Sequence, residues 1–387
     1  MKSIAFKIVC SIALVCLLAL WLVPSFIDKN QNKVSDHDTW PASDKAKILH
    51  DSLIIGDWHA DSLLWNRDFL EQRDYGHVDL PRLQLGNVAF QVITAVTKAP
   101  KGMNYESNSA EAGDLITDLV MAQAWPVRTW SSLYERALYQ VERLQNIEKS
   151  APQTVRIIRS KNDVQDVIAS RQTKQPLTGF LMGMEGAHPL EGEISNLDKL
   201  YDAGYRLIGL QHFFDNELGG SLHGQSNAGL TPFGKQVVLR AEAKNMIIDV
   251  AHSSIAVVKD VLSMVNNPIV LSHTGIHGHC QTKRNIPDSL MQDIANTGGV
   301  VGIGYWADVV CDNSPKGIVL AIRAAIELLG VNHVSLGSDY DGTIEAKFDT
   351  SELAAITHEM LLQEFSQDDI QKVMGENMVR IMNASLN

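Results

Sequence analysis

Leu53-Ile54-Ile55-Gly56-Asp57-Trp58-His59-Ala60-Asp61 is an apolar run that leads straight into two polar residues spaced two apart. Read as a β-strand, it sends residues i and i+2 to one face, so His59 and Asp61 project side by side where the strand ends. An imidazole beside a carboxylate can hold a divalent metal such as zinc. Taken alone, His-x-Asp is a short and common pattern, and a polar strand end with a capping Asp reads the same way. The rest of the chain has to decide between the two.

Seven further apolar runs follow: Val88–Val96, Gly179–Met184, Arg206–Leu210, Met246–Val250, Pro268–Leu271, Val300–Gly304 and Val334–Gly337. Several are apolar almost throughout, as expected of strands buried on both faces of a parallel sheet. Helical periods separate them at Leu197–Ala203, Phe233–Lys244, Ile255–Val265, Ser289–Thr297 and Ile318–Leu329. This alternation predicts an α/β fold, a (β/α)8 TIM-like barrel, with a doubly wound open sheet as the competing architecture. No Gly-x-Gly-x-x-Gly follows the first strand, which argues against dinucleotide binding. Ser107–Ile147, with Trp125, Trp130, Tyr134 and Leu144, has no strand signal and reads as an inserted helical segment packed outside the barrel.

In a barrel of this kind, reactive groups sit at the C-terminal ends of strands. The third run is followed by Glu185, the fourth by Gln211-His212 and the fifth, past Val250, by Ala251-His252. The sixth leads into Ser272-His273 and the eighth into Ser338-Asp339-Tyr340-Asp341-Gly342. One histidine so placed is usually structural; four, with Glu185, Asp61 and Asp339, point to metal-dependent chemistry. His59, Asp61, Glu185, His252 and His273 form a ligand set with two carboxylates, which suits two metal ions sharing one carboxylate. Glu185, flanked by Gly183 and Gly186, is assigned as the bridge; no Lys ends a candidate strand to take that part as a carbamate. Asp57 reads as structural, and Trp58 should point the opposite way into packing. The remaining nine of the 13 histidines, His223 among them, have no comparable placement.

The composition, 45% hydrophobic and 20% charged over 387 residues, is that of a globular protein. A net charge of -12 and the lack of a basic stripe argue against nucleic acid as a partner. The N-terminus differs from the rest: Ile8–Phe26 carries no charge and follows Lys2 and Lys7. As a helix it spans about 28 Å, close to the hydrocarbon thickness of a bilayer. Residues 1–27 therefore read as a transmembrane signal anchor or a cleaved signal peptide, 28–44 as a polar linker, and 45–387 as the catalytic barrel. The expected location is the periplasmic or extracellular face, anchored to the membrane or secreted. Of the four Cys, Cys280 and Cys311 lie in the exported part; a disulfide between them is permitted there but not implied by the spacing.

Nine motifs in order resemble the membrane (renal) dipeptidase family. They are His59-Ala60-Asp61, His77-Val78-Asp79-Leu80-Pro81-Arg82-Leu83, Met184-Glu185-Gly186, Gly229-Leu230-Thr231-Pro232-Phe233-Gly234, Asp249-Val250-Ala251-His252-Ser253-Ser254, Ser272-His273-Thr274, Arg284-Asn285-Ile286-Pro287-Asp288, Gly337-Ser338-Asp339-Tyr340-Asp341-Gly342 and Gly375-Glu376-Asn377-Met378-Val379-Arg380. The resemblance implies a metallopeptidase that hydrolyses dipeptides, including those with a D-residue at the second position, by a bridging hydroxide at a two-zinc site. It implies His59 and Asp61 on the first zinc, His252 and His273 on the second, and Glu185 shared. It gives His212 contact with the substrate and its oxyanion, Arg284 the terminal carboxylate and Asp339 the protons, and it implies a homodimer. A related hydrolase of N-acyl amino acids or cyclic amides is the alternative. The chain departs from the mammalian pattern at Ala60, where they carry Asn, and across Phe213–Gly224, expected to form one wall of the pocket.

Overall fold

In a computed structural model that describes residues 23–173 and 176–387, each of the eight apolar runs forms a strand. They are β1 (Ile55–Ala60), β2 (Val88–Val96), β3 (Thr178–Glu185), β4 (Tyr205–Gly209), β5 (Ile247–Asp249), β6 (Val270–Thr274), β7 (Val300–Ile303) and β8 (Val334–Leu336). Every pairing is parallel, β8 pairs with β1 through Leu336 and Asp57, and β2 pairs with β3 along seven residues from Phe90 to Val96. The sheet therefore closes on itself as a (β/α)8 barrel, and the open doubly wound sheet is excluded. Closure leaves almost every strand residue buried, one face inside the barrel and the other under helices, so the runs do not alternate. Glycine is required where β7 and β8 pass close to β6: a Cβ at Gly302 or Gly337 would stand 2.0 or 1.8 Å from the Ser272 carbonyl oxygen.

β1 begins two residues later than the sequence suggests and runs through His59. The preceding helix, Asp44–Ser52, is capped at its start by the Ser43 side chain and at its end by the Leu53 N–H on His50 O. Leu53 is thus spent on ending the helix, and extended pairing starts only at Ile55. Trp58 points away from the metal-binding side, as expected, into a cluster with Phe90, Leu181 and the C-terminal helix residues Met378 and Ile381.

The inserted segment forms two helices, Leu115–Ala122 and Leu133–Ser150. The buried Arg136 stitches it to the end of β2, donating to Thr97 O at 2.7 Å and pairing with Asp114 at 2.6 Å. It does more than pack outside the barrel, because Leu115, Ile116 and Leu119 reach the mouth of the central cavity.

Most of the expected signal anchor, residues 1–22, lies outside the described residues; residues 23–31 are helical. No helix among the described residues is long and apolar enough to cross a membrane. The reading of 28–44 as a polar linker is corrected. Asp28 and Asn32 are 2% and 0% exposed, and Lys33–Val34 pairs in parallel with Glu345–Ala346 after β8. A tether leaves its polar groups in water, whereas here they are buried with partners on the barrel rim.

Cys280 and Cys311 form a disulfide with Cα atoms 5.6 Å apart, tying the loop after β6 to the segment after β7. Asn285 reinforces this link by donating to Cys280 O and Val309 O at 2.8 and 2.9 Å. Given the sequence separation of 31, replacing both cysteines by alanine should lower stability by about 3 kcal/mol, read by denaturant unfolding of oxidised protein.

Candidate active site

All eight residues singled out in the sequence meet at the C-terminal mouth of the barrel. Glu185, the last residue of β3, stands at the centre: its Oε1 lies 3.1 Å from His252 Nε2 and 3.4 Å from both His273 Nε2 and His59 Nε2. Its Oε2 lies 3.4 Å from His212 Nε2. His59 Nε2 is 3.5 Å from Asp61 Oδ1 and 3.8 Å from Asp339 Oδ1, as the shared face of β1 requires. The donor atoms fall into three overlapping groups, each within 4.8 Å: His59, Asp61 and Glu185; Glu185, His212 and His252; His59, His273 and Asp339. Geometry therefore brings His212 and Asp339 as close to the centre as the five expected ligands.

Counting protons shows what this centre lacks. Ser272 Oγ donates to Asp249 Oδ2 at 2.6 Å, so it accepts from His273 Nδ1 at 2.7 Å, and His273 Nε2 is left as a bare lone pair. His252 Nε2 is 3.0 Å from it and also 3.3 Å from Arg284 Nη2, a group that only donates. Thr94 Oγ1 donates to Asp61 Oδ1 at 2.5 Å. The lone pairs of His252 and His273 and the Glu185 carboxyl group thus face one another, buried, with fewer donors than acceptors among them. Such convergence is costly unless a cation occupies it, and His, Asp and Glu donors are the set that suits zinc. The residues present fit metal binding.

The charges agree. Burial alone would lower His59, but Glu185 and Asp61 outweigh it and hold its imidazole up at about 10. Burial raises Glu185 well above the usual carboxylate range, with Asp61 adding to the effect. Burial, opposed by His59 and reinforced by Asp61, pushes Asp339 up to about 7. His252 and His273 are driven well down by burial, with Arg284 adding at both. Both carboxyl groups are pushed up because too little positive charge stands against their burial.

The surrounding residues explain why the centre is rigid, and the sequence reading missed several of them. Asp249 and Ser272 set the tautomer of His273, and Thr94, in mid-β2, orients Asp61. Ser272 adjoins a ligand and carried a usable signal; Thr94 had none, because its part comes from strand pairing. Asp57 is structural, as expected, taking hydrogen bonds from the His59 N–H, Gln91 and Ser338 and joining β1 to β2 and β8. His252 and Asp339 both have φ of 60°, a left-handed conformation costly for a side-chain-bearing residue and typical of functional positions. The glycines around Glu185 serve neighbours rather than metals: a Cβ at Gly183 would meet Leu207 at 2.9 Å, and one at Gly186 the His188 ring at 2.6 Å.

His223, set aside in the sequence, packs directly behind residues of the site. It is buried against Phe213 and His252, and Tyr105 O takes its Nδ1–H at 2.9 Å. Of Phe213–Gly224, expected to form one wall, Phe213 lines the cavity and His223 packs behind it. His212 donates Nδ1–H to Lys98 O at 3.2 Å, so any hydrogen it gives from Nε2 requires the imidazolium; burial lowers its pKa to about 4. Arg284 is 1% exposed, donates from Nη2 to His273 O at 2.7 Å, and keeps Nε and Nη1 without a protein partner.

A closed (β/α)8 barrel with this donor set at its C-terminal mouth is the plan of a metallohydrolase. The chain belongs to the membrane dipeptidase family (peptidase family M19), whose sequence profile matches residues 43–386, and it is a peptide-bond hydrolase. It is 24% identical over 349 residues to dipeptidase aclJ of Aspergillus oryzae, covering 85% of this chain and 77% of that protein. The crystal structure of the probable dipeptidase PvdM from Pseudomonas aeruginosa superposes with a TM-score of 0.72 at 20% identity, over 88% of this chain and 97% of that one. A metallo peptidase from Rhodobacter sphaeroides, liganded with a phosphinate mimic of the dipeptide L-Ala-D-Ala, superposes at 0.68 with 21% identity, over 86% and 99%. These likenesses bear out the fold.

Ser272→Ala should leave the fold intact and weaken metal binding about 10- to 100-fold by freeing the His273 tautomer, read by titration with a chromogenic chelator.

Proposed function

We propose that the protein is a zinc-dependent dipeptidase with two Zn2+ per chain. His59 and Asp61 would hold one ion, His252 and His273 the other, and Glu185 both. The observation that carries this reading is the buried convergence of His, Asp and Glu donor atoms on Glu185, beside an arginine with unused donors. When bound, the ions supply a water acidified from a pKa near 16 toward roughly 7 and polarise the scissile carbonyl.

The remaining work falls to the chain's own residues. Arg284 binds the substrate's C-terminal carboxylate with guanidinium donors that the protein leaves unused. That clamp fixes the distance from the carboxylate to the scissile bond and so favours dipeptides. Asp339 accepts the proton of the attacking water and returns it to the leaving amine, from a position lining the cavity. His212 would contact the oxyanion that forms and donate to it from Nε2 once that negative charge raises its imidazole from about 4; one such donor contributes about 3 kcal/mol in other enzymes. Turnover of substrates with a D-residue at the second position is supported by the ligand bound to the Rhodobacter sphaeroides relative. Cleavage of N-acyl amino acids is the second reading, favoured by a large apolar cavity beside the metal site.

We further propose that the protein acts outside the cytoplasm, held by the N-terminal helix or released after cleavage. The uncharged Ile8–Phe26 behind Lys2 and Lys7 and the Cys280–Cys311 disulfide support this.

Zinc-loaded protein is expected to release amino acids from a dipeptide panel with L and D residues at the second position. EDTA should stop the release and added zinc restore it. An untouched panel alongside cleaved N-acyl amino acids would select the second reading. Asp339→Asn should retain zinc by metal analysis and lose about 10²- to 10⁴-fold in kcat.

A further inference from the structure

The cavity at the barrel mouth measures about 710 Å³, in the upper part of the roughly 300–1,000 Å³ typical of small-molecule sites. Asp61, Glu185, His212, His252 and Asp339 occupy one part of it. Most of the remaining lining is apolar: Leu64 and Trp65 after β1, Val96, Leu115 and Leu119 on and after β2, and Ile344 after β8. Arg284 comes from the loop after β6, and in an eight-stranded barrel β6 stands opposite β2. The apolar chamber and the carboxylate clamp thus lie on opposite sides of the metal-binding centre. A dipeptide of two small residues would leave most of the chamber wet.

One wall of the chamber comes from the N-terminal segment. Ile27 and Gln31, on the helix of residues 23–31, line the cavity, and Ile27 packs against the cluster of Leu64, Trp65, Val96 and Ile116. The segment is locked in place by buried polar groups. Asp28 pairs with Arg67 at 2.9 Å, and Arg67 pairs at 2.9 Å with Asp341, two residues beyond Asp339. Asn32 donates to Asp28 Oδ1 at 2.8 Å and accepts the Thr343 N–H at 2.9 Å. His77 Nε2 bonds to Lys33 O at 2.9 Å. A buried carboxylate and amide are costly away from these partners, so the sequence specifies this docking.

We infer that residues 23–35 are a specificity element of the active site, completing a chamber for a bulky apolar group on the N-terminal side of the scissile bond. The inference rests on the proposed dipeptidase reading for the orientation of the substrate. The substrate class is then a dipeptide with a large apolar first residue, or an amino acid acylated by a long chain.

The test uses full-length protein and N-alkylsulfonylglycines of increasing chain length, whose sulfonamide resists hydrolysis while the carboxylate and the chain remain. By calorimetry, affinity should rise about fourfold per added methylene until the chamber is full. Ile27→Trp should abolish most of that rise, and Ile27→Ala should weaken the longest chain several-fold, with the shortest ligand unchanged in both. Hydrogen exchange at residues 32–35 should show protection in all three proteins. Affinity independent of chain length, or a rise untouched by either substitution, overturns the chamber even if dipeptides are cleaved. A length-dependent rise removed by Ile27→Trp supports it even if every dipeptide is left intact, in which case only the dipeptidase reading falls.

Discussion

Glu185 Oε1 sits among three imidazole nitrogens at 3.1 to 3.4 Å, two of them lone pairs, and the group has fewer donors than acceptors. Everything at the barrel mouth is arranged around that deficit. Buried acceptors facing one another repel, and only a fixed positive charge makes the arrangement favourable. The chain can hold them together because each arrives on a different strand of a closed ladder. β1 brings His59 and Asp61, β3 Glu185, β6 His273, and the turns after β4 and β5 His212 and His252. A sheet without edges cannot relax by splaying its strands apart, so the cost of convergence is met by the hydrogen bonding and packing of the whole barrel.

Around the centre lies a layer of neutral hydrogen bonds that settles where the protons are. Asp249 and Ser272 keep the proton of His273 on Nδ1, Lys98 O does the same for His212, and Thr94 orients Asp61. Left-handed backbone at His252 and Asp339 turns both side chains inward directly beyond strands that point elsewhere. Asp57 and Ser338 lock β1 to β8 beneath them, so the seam where the barrel closes is also the floor of the site.

The rim gives the site its direction. On one side the disulfide and Asn285 fix the loop that carries Arg284. On the other, the N-terminal segment and the inserted helix Leu115–Ala122 close an apolar chamber. A charged end and an apolar end, separated by the metal-binding centre, define a polarity that the ligand set alone does not have. The salt-bridged chain Asp28–Arg67–Asp341 links the chamber wall to the turn bearing Asp339.

The barrel and the ligand set were legible in the sequence because both rest on local pattern. Strands buried on two faces must be apolar runs, and a residue at a strand end is identified by its place in the chain. His59, Asp61, Glu185, His212, His252, His273 and Asp339 all stand where that reading puts them, whereas Arg284 was marked by the family resemblance alone. What it missed depends on contacts between distant segments. Thr94 acts only because β2 pairs with β1, His223 only because its loop folds onto His252, and Cys280 meets Cys311 only because β6 and β7 are neighbours. The polar composition of 28–44 marks a solvated linker by every local rule, yet Arg67, His77 and Thr343 give its buried groups partners. Periodicity along one segment shows which face is buried; it carries no information on which other segment arrives to cover it, and that choice was made by the tertiary structure.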